Sequence, residues 1–186
     1  MNKISRNIWI FKTKLMGMRE VGRRSCIYKP LQIDNACSIS VGSKVFVGHY
    51  SWLIGSEKKG GKGLIIGDNT TIGHFSHIVA NNEVVIEKDV LLADKVFISD
   101  CNHNYREINV PIKDQGVLFI KPVRIGTGSW LGENVCVCGA SVGKHCVIAA
   151  NSVVTKDIQD YCVAAGIPAR VVKKYNFETK LWEKFE

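Results

Sequence analysis

The chain has no apolar run approaching the roughly 20 residues that a helix needs to cross a bilayer, although 46% of its 186 residues are apolar. A membrane-inserted protein is therefore not expected, and a soluble one is. A signal-peptide core is also missing, because Asn7, Lys12 and Lys14 interrupt the basic opening MNKISRNIWIFKTKLMGM before one can form. The expected location is cytoplasmic. Paired cysteine spacing is absent too: seven cysteines, an odd number, do not make a disulfide framework and read as reduced thiols. Cys136 and Cys138, two apart, have a poor spacing for zinc. No nucleic-acid motif occurs. The net charge of +8 is spread over the N-terminus, a Lys58 to Lys62 loop and the C-terminal segment, so the basic residues form no single stripe. That distribution fits a phosphate-rich ligand better than a nucleic acid. The length suits one domain.

What the chain does have is a period of six. In residues 123 to 157 the apolar residues Ile125, Leu131, Val137, Val142, Ile148 and Val154 recur with one five-residue step, and Gly126, Gly132, Gly143 and Ala149 follow four of them. Four places after an apolar residue stands a smaller one, as at Ser129, Val135, Cys146 and Ser152. Neither a helical period of 3.6 nor plain strand alternation produces this pattern. A coil of short strands does, with one large and one small side chain per hexad turned inward and glycine at tight corners. Such coils bury a continuous core only by stacking on their neighbours. The same phase appears at Val41-Gly42, Val47-Gly48, Ile66-Gly67, Ile72-Gly73, Ile86, Leu92-Ala93 and Ile98-Ser99.

The resulting division is a single domain over 1–186. Residues 1–30 lack the repeat and read as an N-terminal cap with a short helix over Arg6 to Met18; 35–157 form the solenoid. Two loops interrupt it, the Gly/Lys-rich 55–63 and the long 99–122, and 158–186 form an extension. Within that extension NFETKLWEKFE has aromatic and charged residues at helical spacing, which predicts a short C-terminal helix. The longer loop is the natural place for function, because long loops on a rigid scaffold commonly carry it.

The hexads, together with FISDCNHNY, SWLGENV, NSVVTKD and AGIPARVVKK, resemble the hexapeptide-repeat acyltransferases, most of all the sugar O-acetyltransferases of the maltose, galactoside and surface-polysaccharide branch. The resemblance spans about residues 30 to 175. It implies an all-β fold, a left-handed parallel β-helix with a long looped-out segment, and a homotrimer with sites between subunits. It also implies acetyl-coenzyme A as co-substrate, no metal, and a sugar hydroxyl or surface-polysaccharide precursor as acceptor.

A sugar hydroxyl is weakly acidic, so its transfer chemistry requires a base, and imidazole, with an ordinary pKa near 6.5, suits that role. Of five histidines only His103 opens the long loop, where the family's catalytic histidine falls. Asp100, three residues earlier, is a candidate to orient its ring, with turn formation as the structural alternative. Asn82, Asn104 and Tyr105 are candidates for acceptor binding, with loop packing as theirs. By resemblance Trp130, Ala150, Thr155, Lys156, Arg170 and Lys173 contact coenzyme A, the three cations meeting phosphates. Glu133 departs from the family pattern, since a carboxylate cannot stabilise the oxyanion of the intermediate. Open alternatives are another acceptor (serine, an antibiotic or an amino sugar), a zinc enzyme with His74, His77 and His103 as ligands, and a non-catalytic scaffold. Cys101 as a covalent nucleophile is disfavoured.

Overall fold

Strands of mostly two to four residues need partners from successive turns of the chain to close their hydrogen bonds, and the hexads provide them on three faces. The computed structural model describes residues 3 to 185. One face stacks Glu20–Val21, Ile39–Val41, Gly63–Ile66, Glu83–Ile86 and Val123–Ile125. A second stacks Cys26–Ile27, Phe46–Val47, Thr71–Ile72, Leu91–Leu92, Trp130–Leu131, Val147–Ile148 and Cys162–Gly166. The third stacks Gln32–Asp34, Trp52–Ile54, His77–Val79, Phe97–Ser99, Cys136–Cys138 and Val153–Val154. Pairing between these coils is parallel throughout, so the chain forms a parallel β-helix.

The register aligns each large apolar residue with its equivalents above and below. Val41, Ile66, Ile86 and Ile125 form one column; Val47, Ile72, Leu92, Leu131 and Ile148 a second; Leu53, Ile78, Ile98, Val137 and Val154 a third. All are buried, each contributing about 1.5–3 kcal/mol relative to exposure. Between the columns, at the corners, sit the small residues, among them Ser51, Thr70, Ser76, Ser129, Cys146 and Ser152, all buried.

Glycine at the corners answers a close approach. A Cβ on Gly126 would lie 2.5 Å from the carbonyl carbon of Gly143 in the next coil, and one on Gly67 would lie 2.5 Å from the Lys88 amide nitrogen. The left-handed conformation falls two residues later and is borne mainly by other residues, such as Lys44 (φ 60°), Asn69 (φ 57°) and Asp89 (φ 59°). Short polar side chains tolerate that region better than branched ones.

Both ends differ from the sequence expectation. The helix is Lys3–Lys14, and the first coil already begins at Glu20–Val21 rather than near residue 35. Val21-Gly22, Ile27 and Ile33 are in hexad phase, and Ile27 is fully buried. The helix caps this coil through Thr13, which is completely buried: its Oγ1 donates to Trp9 O at 2.6 Å and accepts from the Ile27 amide at 2.9 Å. At the other end the expected helix is a β-hairpin. Leu181–Lys184 runs antiparallel to Ala169–Asn176, itself antiparallel to Cys162–Gly166. Tyr175 faces Trp182 across the pair at 5.4 Å, and Asn176 ties the turn by accepting from the Glu178 amide at 2.9 Å. A neighbouring strand edge thus overrides a local pattern that is compatible with a helix.

The long excursion leaves the third face after Ser99 and returns at Val123, which pairs with Val84 as if no segment intervened. Its base is a hairpin of Cys101–His103 against Val117–Phe119, and its tip carries a short 3-10 helix, Ile112–Asp114. Glu87 fastens the return point, accepting from the Thr127 amide and hydroxyl at 2.7 Å each and pairing with Arg124. These donors hold its carboxyl below the usual glutamate range against the opposing effect of burial.

Candidate active site

Where the excursion departs, the third face and the hairpin enclose a pocket of about 280 Å³. Phe97, Ser99 and Cys101 form its floor with Ile54, His77 and Val79 of the neighbouring coils; Asn102, His103 and Val117 form its rim. The wall is mostly apolar, and His103 stands exposed at the end of its strand, opposite Val117.

Asp100 is not a partner of His103. It is completely buried, and its carboxylate accepts from the backbone amides of Asn81 and Asn82 at 2.7 Å and Glu83 at 2.8 Å. The chain turns inward at Asp100 before the hairpin strand begins, so the side chain clamps the corner of the adjacent coil. Asn82 supplies one of those amides and is half-buried. Asn104 lies beyond the hairpin strand, with its Oδ1 accepting from the Arg106 amide at 3.3 Å. Tyr105 is exposed on the excursion.

The residues expected to meet coenzyme A lie apart from this pocket within one chain. Trp130, half-exposed, sits on the second face, as do Arg170 and Lys173 on the antiparallel strand that extends that sheet. Ala150, Thr155 and Lys156 are exposed around the corner and strand that follow. Gly132 packs beneath this stretch, where a Cβ would lie 2.6 Å from the Ala150 amide nitrogen. Glu133 pairs with Lys95 at 2.9 Å on the exposed surface.

Cys101 is buried, with its sulfur 3.4 Å from the Ser99 hydroxyl, and burial pushes its thiol up, which opposes a nucleophilic role. The three-histidine alternative finds no support in geometry. His74 Nδ1 accepts from the His49 amide at 2.9 Å, and among the described residues no group of three or more His, Cys, Asp or Glu is gathered for a metal.

Two features at the site escaped the sequence reading. His77 stacks under Trp52, with centroids 4.6 Å apart and planes 6° apart, while Trp52 Nε1 donates to Asp34 at 2.6 Å. The signal was present, since Trp52 and His77 both precede an inward residue of the third face, Leu53 and Ile78. Cys136 and Cys138 are the second feature. They flank inward Val137, align with Phe97 and Ser99 of the pocket floor, and bring their sulfurs to 3.5 Å. Hydrogen bonding from Cys138 lowers Cys136 to about 7 and raises Cys138 in turn.

His77 also makes a pH prediction. Its Nε2 is buried with no hydrogen-bond partner among the described residues, and desolvation lowers its pKa. The unfolded chain therefore binds more protons than the folded one once pH drops below the ordinary histidine value of about 6.5, so stability is full above that value and declines beneath it. Urea midpoints measured between about pH 7.5 and pH 5.5 should fall, and His77→Phe should flatten that dependence. An equal slope in the variant would contradict the assignment.

Residues 122–156 match the family model described as the hexapeptide repeat of succinyl-transferase. Over 132 residues the chain is 43% identical to the putative lipopolysaccharide biosynthesis O-acetyl transferase WbbJ of Escherichia coli, covering 67% of each chain. Over 121 residues it is 34% identical to the galactoside O-acetyltransferase of Escherichia coli, 64% of this chain and 58% of the other. In three dimensions it resembles AntD, an N-acyltransferase from Bacillus cereus solved in complex with dTDP and 3-hydroxybutyryl-CoA. The TM-score is 0.76 at 18% identity, over 91% of this chain and 89% of that one.

Proposed function

Belonging to the hexapeptide-repeat acetyltransferases, the chain is an acyltransferase that uses acetyl-coenzyme A, and we propose that it acetylates a sugar hydroxyl of a surface-polysaccharide precursor with His103 as general base. The observation that carries this is His103 on the rim of the recess where the excursion meets the third face. The 43% identity to a relative named for lipopolysaccharide biosynthesis supports the acceptor class.

In this mechanism His103 takes the proton of the acceptor hydroxyl as its oxygen adds to the thioester carbonyl, and then returns it to the departing thiolate. Asn104 and Tyr105 bind the acceptor, while Asn82 serves the corner held by Asp100. Trp130, Ala150, Thr155 and Lys156 hold the pantetheine arm, and Lys156, Arg170 and Lys173 meet its phosphates. The exposure of these three cations fits that donor set. The solenoid is left-handed, and the protein is a cytoplasmic homotrimer. Trimer formation brings the second face of one subunit to the third face of the next, which unites the cofactor residues with His103.

Calorimetric titration with acetyl-coenzyme A tests the cofactor half of the proposal without knowledge of the acceptor. Saturable binding near one site per chain is expected, weakened by Lys156→Ala and Arg170→Ala. Absence of binding at millimolar concentration would overturn the proposal.

A further inference from the structure

The helix Lys3–Lys14 turns one side to the first coil, and its opposite side, along Ile4, Ile8 and Phe11, is exposed among the described residues. Thr13 and Trp9 make the attachment, Trp9 by an edge contact to Tyr28 at 5.6 Å. On the far side Ile4, Ile8 and Phe11 are 74%, 49% and 65% exposed, and Leu15, in the turn that follows, is 69% exposed. At about 100° per residue these four lie within roughly 60° of arc, opposite Thr13. A stripe this narrow and continuous differs from the single apolar residues scattered over most surfaces.

The charges around it are of one sign. From Met1 to Arg19 the chain contains Lys3, Arg6, Lys12, Lys14 and Arg19 and no acidic residue; Glu20 is the first. Lys12 and Lys14 lie on either flank of the stripe, and Lys12 sits with its ammonium 4.8 Å from the centroid of Trp9. Arg24, from the first coil, joins Arg6, Asn7 and Ile10 around a hollow of about 380 Å³ beside the helix. Apolar side chains on one line with flanking cations form the arrangement by which a helix lies in a membrane interface, its apolar face among the acyl chains and its lysines at the headgroups. A second copy of the same helix is a poor occupant, because it would bring the same cations together. No helix among the described residues is long and apolar enough to cross a membrane, so the attachment is to the surface.

We propose that the N-terminal helix docks the protein on an anionic lipid surface, with Ile4, Ile8, Phe11 and Leu15 entering the interface and the flanking Lys12 and Lys14 meeting acidic headgroups. This docking is independent of the chemistry at His103. The test is flotation of the full-length protein with vesicles of phosphatidylcholine alone or of phosphatidylcholine with about a quarter phosphatidylglycerol. Partition onto the anionic vesicles only is expected, weakening several-fold as salt rises from about 0.05 to 0.5 M.

The double variant Ile8→Asp, Phe11→Asp should bind at least ~10-fold less. Both side chains point away from the body, so thermal unfolding, oligomeric state and acetyl-coenzyme A consumption with a soluble acceptor should be unchanged. Lys12→Glu with Lys14→Glu should remove the preference for anionic lipid. Failure of the wild-type protein to float, equal flotation of the double variant, or loss of an oligomer in that variant would overturn the proposal, the last assigning the stripe to a second copy. An inactive but floating protein would instead count against the acetyl-transfer proposal alone.

Discussion

His103→Ala is expected to lower turnover by about 10²–10⁴-fold, the usual contribution of a positioned general base, while acetyl-coenzyme A still binds within about two-fold of wild type. The separation follows from where the residues lie. His103 projects from the excursion hairpin and packs into none of the core columns, so truncating it leaves the coils intact. The cofactor candidates Trp130, Lys156, Arg170 and Lys173 belong to other parts of the solenoid. Steady-state kinetics with calorimetry on the same preparation reads both quantities. Turnover close to wild type would remove His103 from the mechanism, and joint loss of turnover and cofactor binding would make its role structural.

Asp100→Ala should act in the opposite way, by loss of stability. Its carboxylate receives three backbone amides within 2.8 Å, and each buried donor left unsatisfied costs about 1–3 kcal/mol. Because those donors are only half-buried, water replaces part of the loss, and a total of about 2–4 kcal/mol is expected. For a domain of this size that is a fall of about 5–15 °C in Tm. Asp100→Asn keeps one accepting oxygen and should recover part of it. The same pair of variants separates a corner clamp from a catalytic orienter. If Asp100 positioned the His103 ring, Asp100→Asn would depress turnover with little change in Tm. The geometry predicts that the folded fraction of Asp100→Asn retains nearly full turnover.

How far the sequence carried is clearest at particular residues. The inward columns were legible from the period alone, since Ile66, Ile72, Ile78 and their equivalents differ by one hexad and all are buried. Val21-Gly22, Ile27 and Ile33 carry the same phase, yet the polar and basic residues between them concealed the first coil. In the C-terminal segment aromatic and charged residues fit a helix by spacing. What makes a strand of Leu181–Lys184 is the free edge of Ala169–Asn176, which the local pattern does not contain. Asp100 shows a third limit: proximity in sequence to His103 says nothing about direction, and the backbone reverses between them from a core corner to an outward hairpin. The stacked Trp52 and His77 depend on which outward residues meet across coils, whereas the sulfurs of Cys136 and Cys138 meet along one strand, two residues apart. The period identifies positions of that kind but does not give them a purpose.

The most direct test of the central claim is acetyl-coenzyme A consumption by the purified protein across a panel of sugars and nucleotide-activated sugars, followed by free thiol and by mass spectrometry of the acceptor. The account predicts thiol release that depends on one class of acceptor, with a matching gain of one acetyl group on a hydroxyl of that acceptor and loss of both signals in His103→Ala. Thiol release without an acetylated sugar, or an acetylated sugar formed equally well by His103→Ala, would contradict it.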